Sequence, residues 1–198
     1  MDSLVTLPPA QVSGGVPVEQ ALDRRHTCRE FTPAPLTLAQ VGQLLWSAQG
    51  ANSRGRRTAP SAGACYPLET YAVTADGVGQ YDPDRHRLRW FIDQDSRGAL
   101  ARAALDQEFV AAAPLTIVLC AVYERVNRKY GEARGPRYVH IEVGHAAQNV
   151  LLQAVCLGLG AAPVGAFDDE AVQLALRLPD DHQPLYLLPI GYPARYTD

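Results

Sequence analysis

One apolar segment in the middle of the chain constrains the fold more than any other feature. Residues 115–122 read Leu-Thr-Ile-Val-Leu-Cys-Ala-Val, which is typical of a central strand covered on both faces. The longest predicted helix follows at residues 137–157, and its side chains are apolar on nearly all sides. Because both elements need burial, we predict one core in which helices cover a central sheet.

Shorter patterns place the remaining elements. Thr37 and Gln40 form a capping box before a helix that ends at Gly50, and Asp168 is the predicted N-cap of a later helix. Residues 123–136 are polar and predict no regular element. Strands are predicted at 69–75, 79–82, 88–92, 161–167 and 185–190, with further helices at 96–113 and 169–178. We therefore expect a single α+β domain at residues 17–198, a mixed sheet wrapped by helices, after an extended arm at residues 1–16.

Charge and composition exclude several classes of partner. The 198 residues carry a net charge of −3, so we expect no general attraction to nucleic acid or to anionic membranes. No apolar run reaches the roughly 18 residues of a membrane span, and the first residues lack a secretion signal, so we expect a cytoplasmic protein. The four cysteines lie far apart, which predicts neither a disulfide nor a metal site. Two of them, Cys120 and Cys156, are expected to be buried.

A basic segment near the start of the domain suggests an anion site. Residues 24–31 read Arg-Arg-His-Thr-Cys-Arg-Glu-Phe. The guanidiniums of Arg25 and Arg29, the Thr27 hydroxyl and the His26 imidazole are donors that suit a phosphate monoester. The alternative interpretation is a solvated basic face of a helix.

Two segments of small residues offer backbone to a flat ligand. Residues 60–64 (Pro-Ser-Ala-Gly-Ala) have little side-chain bulk, so a planar ring can lie on them; the alternative is an ordinary turn before a strand. Residues 163–166 (Pro-Val-Gly-Ala) end a predicted strand, where backbone N–H groups can donate to a ligand.

Several motifs, in order along residues 17–193, resemble the nitroreductase superfamily of flavin mononucleotide (FMN) enzymes. Within it, they are most similar to the SagB/ThcOx-type oxidoreductases, named for azoline dehydrogenases. The matching motifs are residues 25–31, 44–50, 60–64 with 66–69, 129–131, 144–149 and 165–167. The resemblance implies a nitroreductase-like fold and an intertwined homodimer with FMN at its interface.

The resemblance also implies roles for individual residues. The basic segment would bind the FMN phosphate, residues 60–64 would reach the partner subunit's FMN or the substrate face, and residues 163–166 would donate to the flavin N5 edge. Gln148 would contact the cofactor, with burial in helix packing or in the dimer as the alternative. The implied cofactor-binding residues are Arg25, His26, Thr27, Arg29, Pro60, Ser61, Ala62, Gly63, Ala64, Gln148, Pro163, Val164, Gly165, Ala166 and Arg195.

Lys129 and Tyr130 are the implied catalytic residues. In the resembling branch this pair is associated with proton removal during azoline oxidation. A lysine beside a tyrosine stabilises a phenolate, which can act as a base. The alternative is a solvated, charged loop.

Three functions remain open at this point. The first is an FMN-dependent oxidoreductase that transfers hydride by a ping-pong mechanism between NADPH or NADH and a small oxidised acceptor, such as a nitroaromatic or a quinone. The second is a flavin-dependent dehydrogenase of azoline-type or peptide-derived substrates that uses oxygen. The third is a non-catalytic flavin-binding or partner-binding subunit. Two departures from the family pattern motivate it. Ala64 stands where many nitroreductases carry asparagine, and Arg195 is the one residue that could replace the basic Lys-x-Arg of the family's tail. Without the N-terminal peptide-binding portion of azoline dehydrogenases, we expect a free-standing reductase.

Overall fold

The computed structural model describes residues 3–194, which form one seven-stranded sheet with helices on both faces. The strands are β1 (Ser3–Thr6), β2 (Leu68–Thr74), β3 (Gly77–Asp82), β4 (Arg87–Ile92), β5 (Leu115–Ala121), β6 (Gly160–Ala161) and β7 (Gln183–Gly191). The helices are α1 (Val18–Arg24), α2 (Leu38–Gln49), α3 (Arg97–Ala103), α4 (Glu108–Ala112), α5 (Glu124–Tyr130), α6 (Gly135–Cys156) and α7 (Asp169–Leu176). This α+β architecture confirms the predicted fold class.

The sheet has the order β1-β4-β3-β2-β5-β7-β6, with β5 between β2 and β7. Its strand pairs among the described residues are antiparallel. A parallel contact occurs where Thr27, outside the named strands, forms a bridge with Ala161. The mixed character that we predicted for the sheet is therefore confined to this bridge.

Alternation along β5 builds two cores. Successive side chains of a strand point to opposite faces, so Ile117 and Leu119 join the cluster under α2 and α6, while Val118 and Cys120 join the one under α3, α4 and α7. All four are fully buried. The prediction of a central strand covered on both faces is confirmed.

The predicted helix starts are also confirmed. The Thr37 hydroxyl accepts from the Gln40 backbone N–H at 3.2 Å, and the Gln40 side chain accepts from the Thr37 N–H at 2.9 Å. The Asp168 carboxylate accepts from the Ala171 N–H at 2.9 Å. Each cap satisfies donors that the first turn of a helix leaves free.

Three predicted elements differ from the structure. The single helix at 96–113 is two helices, because Leu105 and Asp106 adopt left-handed φ values of 57° and 58° that end α3. The strand at 161–167 shortens to β6, followed by a separate bridge from Val164 to Leu187. Part of the extended arm, residues 3–6, is the edge strand β1 paired with β4.

The predictions for the long helix and one cysteine also need correction. Helix α6, predicted to be the core helix with apolar side chains on nearly all sides, is not buried on all sides. Ile141, His145 and Gln148 are exposed along one face. Cys156, predicted to be buried, is exposed at the end of α6, whereas Cys120 is buried as expected. Among the described residues, no helix has both the length and the hydropathy to cross a membrane.

Candidate functional site

The basic segment is extended and not helical. Helix α1 ends at Arg24, and Arg25 has extended backbone angles. Thr27 forms a bridge with Ala161. Thr27 and Arg29 are exposed and Arg25 is half-buried, whereas Cys28 is buried. The alternative of a basic helix face is therefore wrong, and the buried Cys28 lies between the exposed Thr27 and Arg29.

Contacts of Cys28 attach this segment to the sheet edge. The Cys28 N–H donates to the Ala161 carbonyl at 2.9 Å. A Cβ at Gly160 would lie 2.6 Å from the Cys28 Cβ, so Gly160 is the residue that lets the segment approach β6. His26 is exposed, and its Nδ1 lies 3.1 Å from the Arg24 carbonyl oxygen.

Residues 163–166 continue from this same edge. Gly165 and Ala166 are exposed, and a Cβ at Gly165 would meet nothing closer than the Tyr186 ring at 3.9 Å. Val164 does not fit its predicted role. Its side chain is buried, and its backbone N–H and carbonyl are both paired with Leu187. Pro163 has no backbone N–H, so the donors that can face a ligand here belong to Gly165 and Ala166.

Helix α4 and the turn before it bring the basic segment close to residues 163–166. The Arg29 guanidinium lies 5.6 Å from the centroid of the Phe109 ring. Two residues earlier, the Gln107 side chain donates to the Ala166 carbonyl at 3.0 Å. Open backbone at Gly165 and the Arg29 guanidinium on the same side of α4 fit a planar heterocycle that carries a phosphate, as FMN does.

The Pro60–Ala64 segment, referred to below as the small-residue loop, is a strained turn. Gly63, Ala64 and the nearby Tyr66 have left-handed φ values of 59°, 53° and 47°. The Ser61 hydroxyl accepts from the Tyr66 N–H at 2.9 Å and so closes the turn. Gly63 and Ala64 are exposed, while Ser61 and Ala62 are half-buried and Pro60 is exposed.

Lys129 and Tyr130 lie directly over this loop. They occupy the last turn of α5, a helix within the stretch for which the sequence predicted no element. The Lys129 ammonium donates to the Gly63 carbonyl at 3.2 Å. A Cβ at Gly63 would lie 2.6 Å from the Lys129 Nζ and 2.7 Å from the Tyr130 hydroxyl, so a larger residue there would displace the ends of both side chains. The structure therefore joins the predicted catalytic pair to the small-residue loop.

Two buried polar residues behind the loop were missed by the sequence analysis. Glu142 on α6 and Gln49 on α2 are each 2% exposed. The Gln49 amide donates to the Glu142 carboxyl at 3.4 Å. Burial raises the pKa of Glu142 from 4.5 to about 7, although the Ser61 and Gln49 side chains lower it.

A polar cavity of about 370 Å³ adjoins the same loop. Its two arginines are already paired: Arg57 with Asp84 at 2.9 Å, and Arg125 with Glu69. Arg125 also donates to the Tyr66 carbonyl at 3.1 Å, and Arg57 lies 5.4 Å from the centroid of the Tyr66 ring. These contacts support the turn from its outer side.

The predicted site residues thus form two groups in one chain. One group surrounds the basic segment near the carboxyl end of α6, and the other surrounds the small-residue loop near Glu142. The basic segment contacts β6 and α4, whereas the small-residue loop contacts α5. Gln148 lies between them on the exposed face of α6. Arg195 falls outside the described residues.

Comparison with known proteins identifies one family. The profile described as "Nitroreductase family" matches residues 22–192. A Methanocaldococcus jannaschii protein that carries a nitroreductase name is 44% identical over 183 residues, which cover 89% of this chain and 91% of that protein. The FMN reductase (NADPH) of Bacillus subtilis is 26% identical, with 91% of this chain and 67% of that protein covered. A crystal structure of a Ralstonia eutropha JMP134 protein, again with a nitroreductase name, superimposes with a TM-score of 0.87 at 31% identity. The superposition covers 98% of this chain and 90% of the Ralstonia eutropha chain.

Proposed function

Because the chain belongs to the nitroreductase family, we propose that it is an FMN-dependent oxidoreductase. Its reaction moves hydride between NADPH or NADH and a small oxidised acceptor. Bound FMN supplies the redox chemistry, and the protein supplies binding, orientation and charge stabilisation. The FMN reductase (NADPH) of Bacillus subtilis, a relative over most of this chain, supports the choice of FMN and of NADPH.

The observation that carries the proposal is that Thr27 pairs with Ala161 at the sheet edge, while Arg29 lies over Phe109, two residues from the Gln107 side chain that donates to the Ala166 carbonyl. Guanidinium groups stay charged at every physiological pH and form charge-assisted hydrogen bonds with phosphate oxygens. The Gly165 and Ala166 backbone is the surface against which the flavin ring would lie. His26 is close enough in the chain to add a donor.

We further propose that the active form is a homodimer. The small-residue loop contacts α5, whereas the basic segment contacts β6 and α4, so we expect the two groups of one chain to serve different ligands. A second copy can supply the missing loop. Val18 and Leu22 on α1 and Ile141 on α6 are each at least half exposed, which provides apolar surface for such a contact.

Anaerobic reduction tests this function. Purified protein reconstituted with FMN is mixed with NADPH, and in parallel with NADH, while the visible flavin absorbance is followed. We expect the absorbance to bleach with at least one of the two donors and to return when a quinone or a nitroaromatic is added. An oxidised spectrum that persists with both donors would contradict the reductase proposal.

A second candidate function is favoured by the contact of Lys129 and Tyr130 with Gly63. In this alternative, which corresponds to the SagB/ThcOx-type branch, Tyr130 removes a proton from a peptide-derived substrate and oxygen accepts the electrons.

The Tyr130→Phe variant separates the two candidates. A reductase is expected to keep its kcat with NADPH and a quinone within about twofold, whereas a dehydrogenase that loses its general base should lose about 10²-fold or more of its turnover of an azoline-type peptide with oxygen. Steady-state kinetics of both reactions measure this, and Tyr123→Phe serves as the matched control because the Tyr123 hydroxyl faces His140. Azoline oxidation that falls a hundredfold in Tyr130→Phe alone, with quinone reduction unchanged, would favour the dehydrogenase over the simple reductase.

A further inference from the structure

We propose that the polar cavity beside the small-residue loop binds a small molecule through its carboxylate, with the Arg57 guanidinium as the main contact. In the structure the Asp84 carboxylate occupies the position at Arg57 that the carboxylate of the ligand would take. Among the described residues, none of those implied to bind FMN lines this cavity, so the inference does not depend on the proposed function.

The cavity has the size and the wall chemistry of a small-molecule site. Its volume of about 370 Å³ lies within the range of about 300–1,000 Å³ that is usual for such sites. Leu68, Pro83 and Tyr66 contribute apolar wall, and Arg57 and Arg125 contribute positive charge. Such a wall suits a ligand that has an apolar body and one anionic group.

The Arg57 side chain is held in place by contacts within the chain. Its guanidinium donates to the Gln49 backbone carbonyl at 3.5 Å and lies 5.4 Å from the centroid of the Tyr66 ring. The side chain is 15% exposed. A guanidinium has five N–H donors, and the contacts with Gln49 and Asp84 use two of them. The remaining donors can form the charge-assisted hydrogen bonds that bind a carboxylate.

The two ion pairs of the cavity differ in how easily their carboxylates can leave. Asp84 contacts Arg57 at 2.9 Å from the turn between β3 and β4, but its side chain is 76% exposed, so on release it returns to water. The Glu69 side chain is 16% exposed and accepts from both Arg125 and Gln80. Release of Asp84 alone therefore leaves one uncompensated positive charge, which matches one carboxylate.

A buried hydroxyl in the cavity wall adds a second polar group. Thr70 lines the cavity and is 2% exposed, and within the described part of the chain its Oγ1 has no hydrogen-bond partner. Because side chains alternate along a strand, Thr70 lies on the same face of β2 as Leu68. A buried hydroxyl without a partner is destabilising, and a carboxylate oxygen is an acceptor of the kind that it needs.

Titration with benzoate tests the site. Isothermal titration calorimetry at neutral pH, with and without FMN, measures the Kd for benzoate and for benzamide, its neutral analogue. We expect benzoate to bind at least about tenfold more tightly than benzamide, and Arg57→Gln to weaken benzoate binding by about tenfold or more, because a charged hydrogen bond is lost. Asp84→Asn removes the competing carboxylate and should strengthen binding about threefold. Arg56→Gln, an exposed neighbour, should change the Kd by less than about twofold.

Alkylation of cysteines locates the bound probe. Cys65 is half-buried in the cavity wall, whereas Cys156 is exposed at the end of α6 and serves as the control within the same chain. We expect saturating benzoate to slow the reaction of Cys65 with iodoacetamide, followed by peptide mass spectrometry, and to leave the reaction of Cys156 unchanged.

Several results would overturn this inference. They are the absence of benzoate binding, equal affinity in Asp84→Asn and the unmodified protein, and a Cys65 rate that benzoate does not change. The Asp84→Asn variant changes an exposed side chain, so it decides the matter even if Arg57→Gln does not fold. Benzoate binding with these effects in a protein that binds no FMN would contradict the proposed function and support the carboxylate site.

Discussion

Replacing Arg25 and Arg29 together by glutamine is expected to raise the Kd for FMN by about a hundredfold or more. Hydrogen bonds to charged groups contribute about 1.5–3 kcal/mol each, and 1.4 kcal/mol corresponds to a factor of ten in Kd. Both guanidiniums belong to one short segment outside the helices, and we expect both to reach one phosphate. Quenching of flavin fluorescence during titration measures the Kd. Riboflavin, which lacks the phosphate, should bind both proteins with similar affinity.

Arg24→Gln is the matched control for this prediction. Arg24 is exposed and adjacent in sequence, but it belongs to the last turn of α1 and precedes the extended segment. Its replacement removes one positive charge, against two in the double variant, and should change the FMN Kd by less than about threefold, as expected for a screened surface charge. Equal losses in Arg24→Gln and in the double variant would show that the basic segment acts only through its overall charge.

Glu142→Gln is expected to remove a pH dependence of stability worth about 3 kcal/mol. Burial raises the pKa of Glu142 from 4.5 to about 7. Between these values the folded protein keeps a proton that the unfolded chain has lost, so the free energy of unfolding falls as pH rises through this window. The factor of 1.36 kcal/mol per pH unit gives the magnitude. Glutamine does not ionise, so the variant should lack this part of the decline.

Urea denaturation at pH 5, 6.5 and 8 measures this effect. The difference in free energy of unfolding between variant and unmodified protein should shift by about 3 kcal/mol in favour of the variant from pH 5 to pH 8. Contributions from other titrating groups cancel in this difference. Glu124→Gln should run parallel to the unmodified protein, because its carboxylate is exposed. If the curves for Glu142→Gln and the unmodified protein also run parallel, the carboxyl is ionised in both states.

The strongly patterned parts of the fold could be predicted from the sequence. The apolar run at 115–122 needs burial of both its faces, which a strand with a core on each side provides. The Thr37 and Asp168 caps mark the starts of their helices. Helix α5 was missed because only Val126 of its seven residues is buried, which leaves no apolar periodicity. The Glu124–Arg128 spacing and the following Gly131 are the signals that could have indicated it.

For the candidate site, the sequence offered residues but not their geometry. The motifs proposed Arg25, Thr27 and Arg29, yet the prediction allowed a helical segment, because nothing local shows that Thr27 pairs with Ala161 more than 130 residues away. The same limit applies to Val164, whose backbone is paired with Leu187. Glu142 was missed because a single glutamate on a helix ordinarily faces solvent, and only the packing of α2 against α6 buries it.

A crystal structure of the protein with FMN is the measurement that tests the central claim most directly. We expect the phosphate of FMN within hydrogen-bond distance of the Arg25 and Arg29 guanidiniums and the Thr27 hydroxyl, with the flavin ring against Gly165 and Ala166. A phosphate that faces bulk water, or that is bound by residues elsewhere in the chain while both arginines point away, would contradict the account.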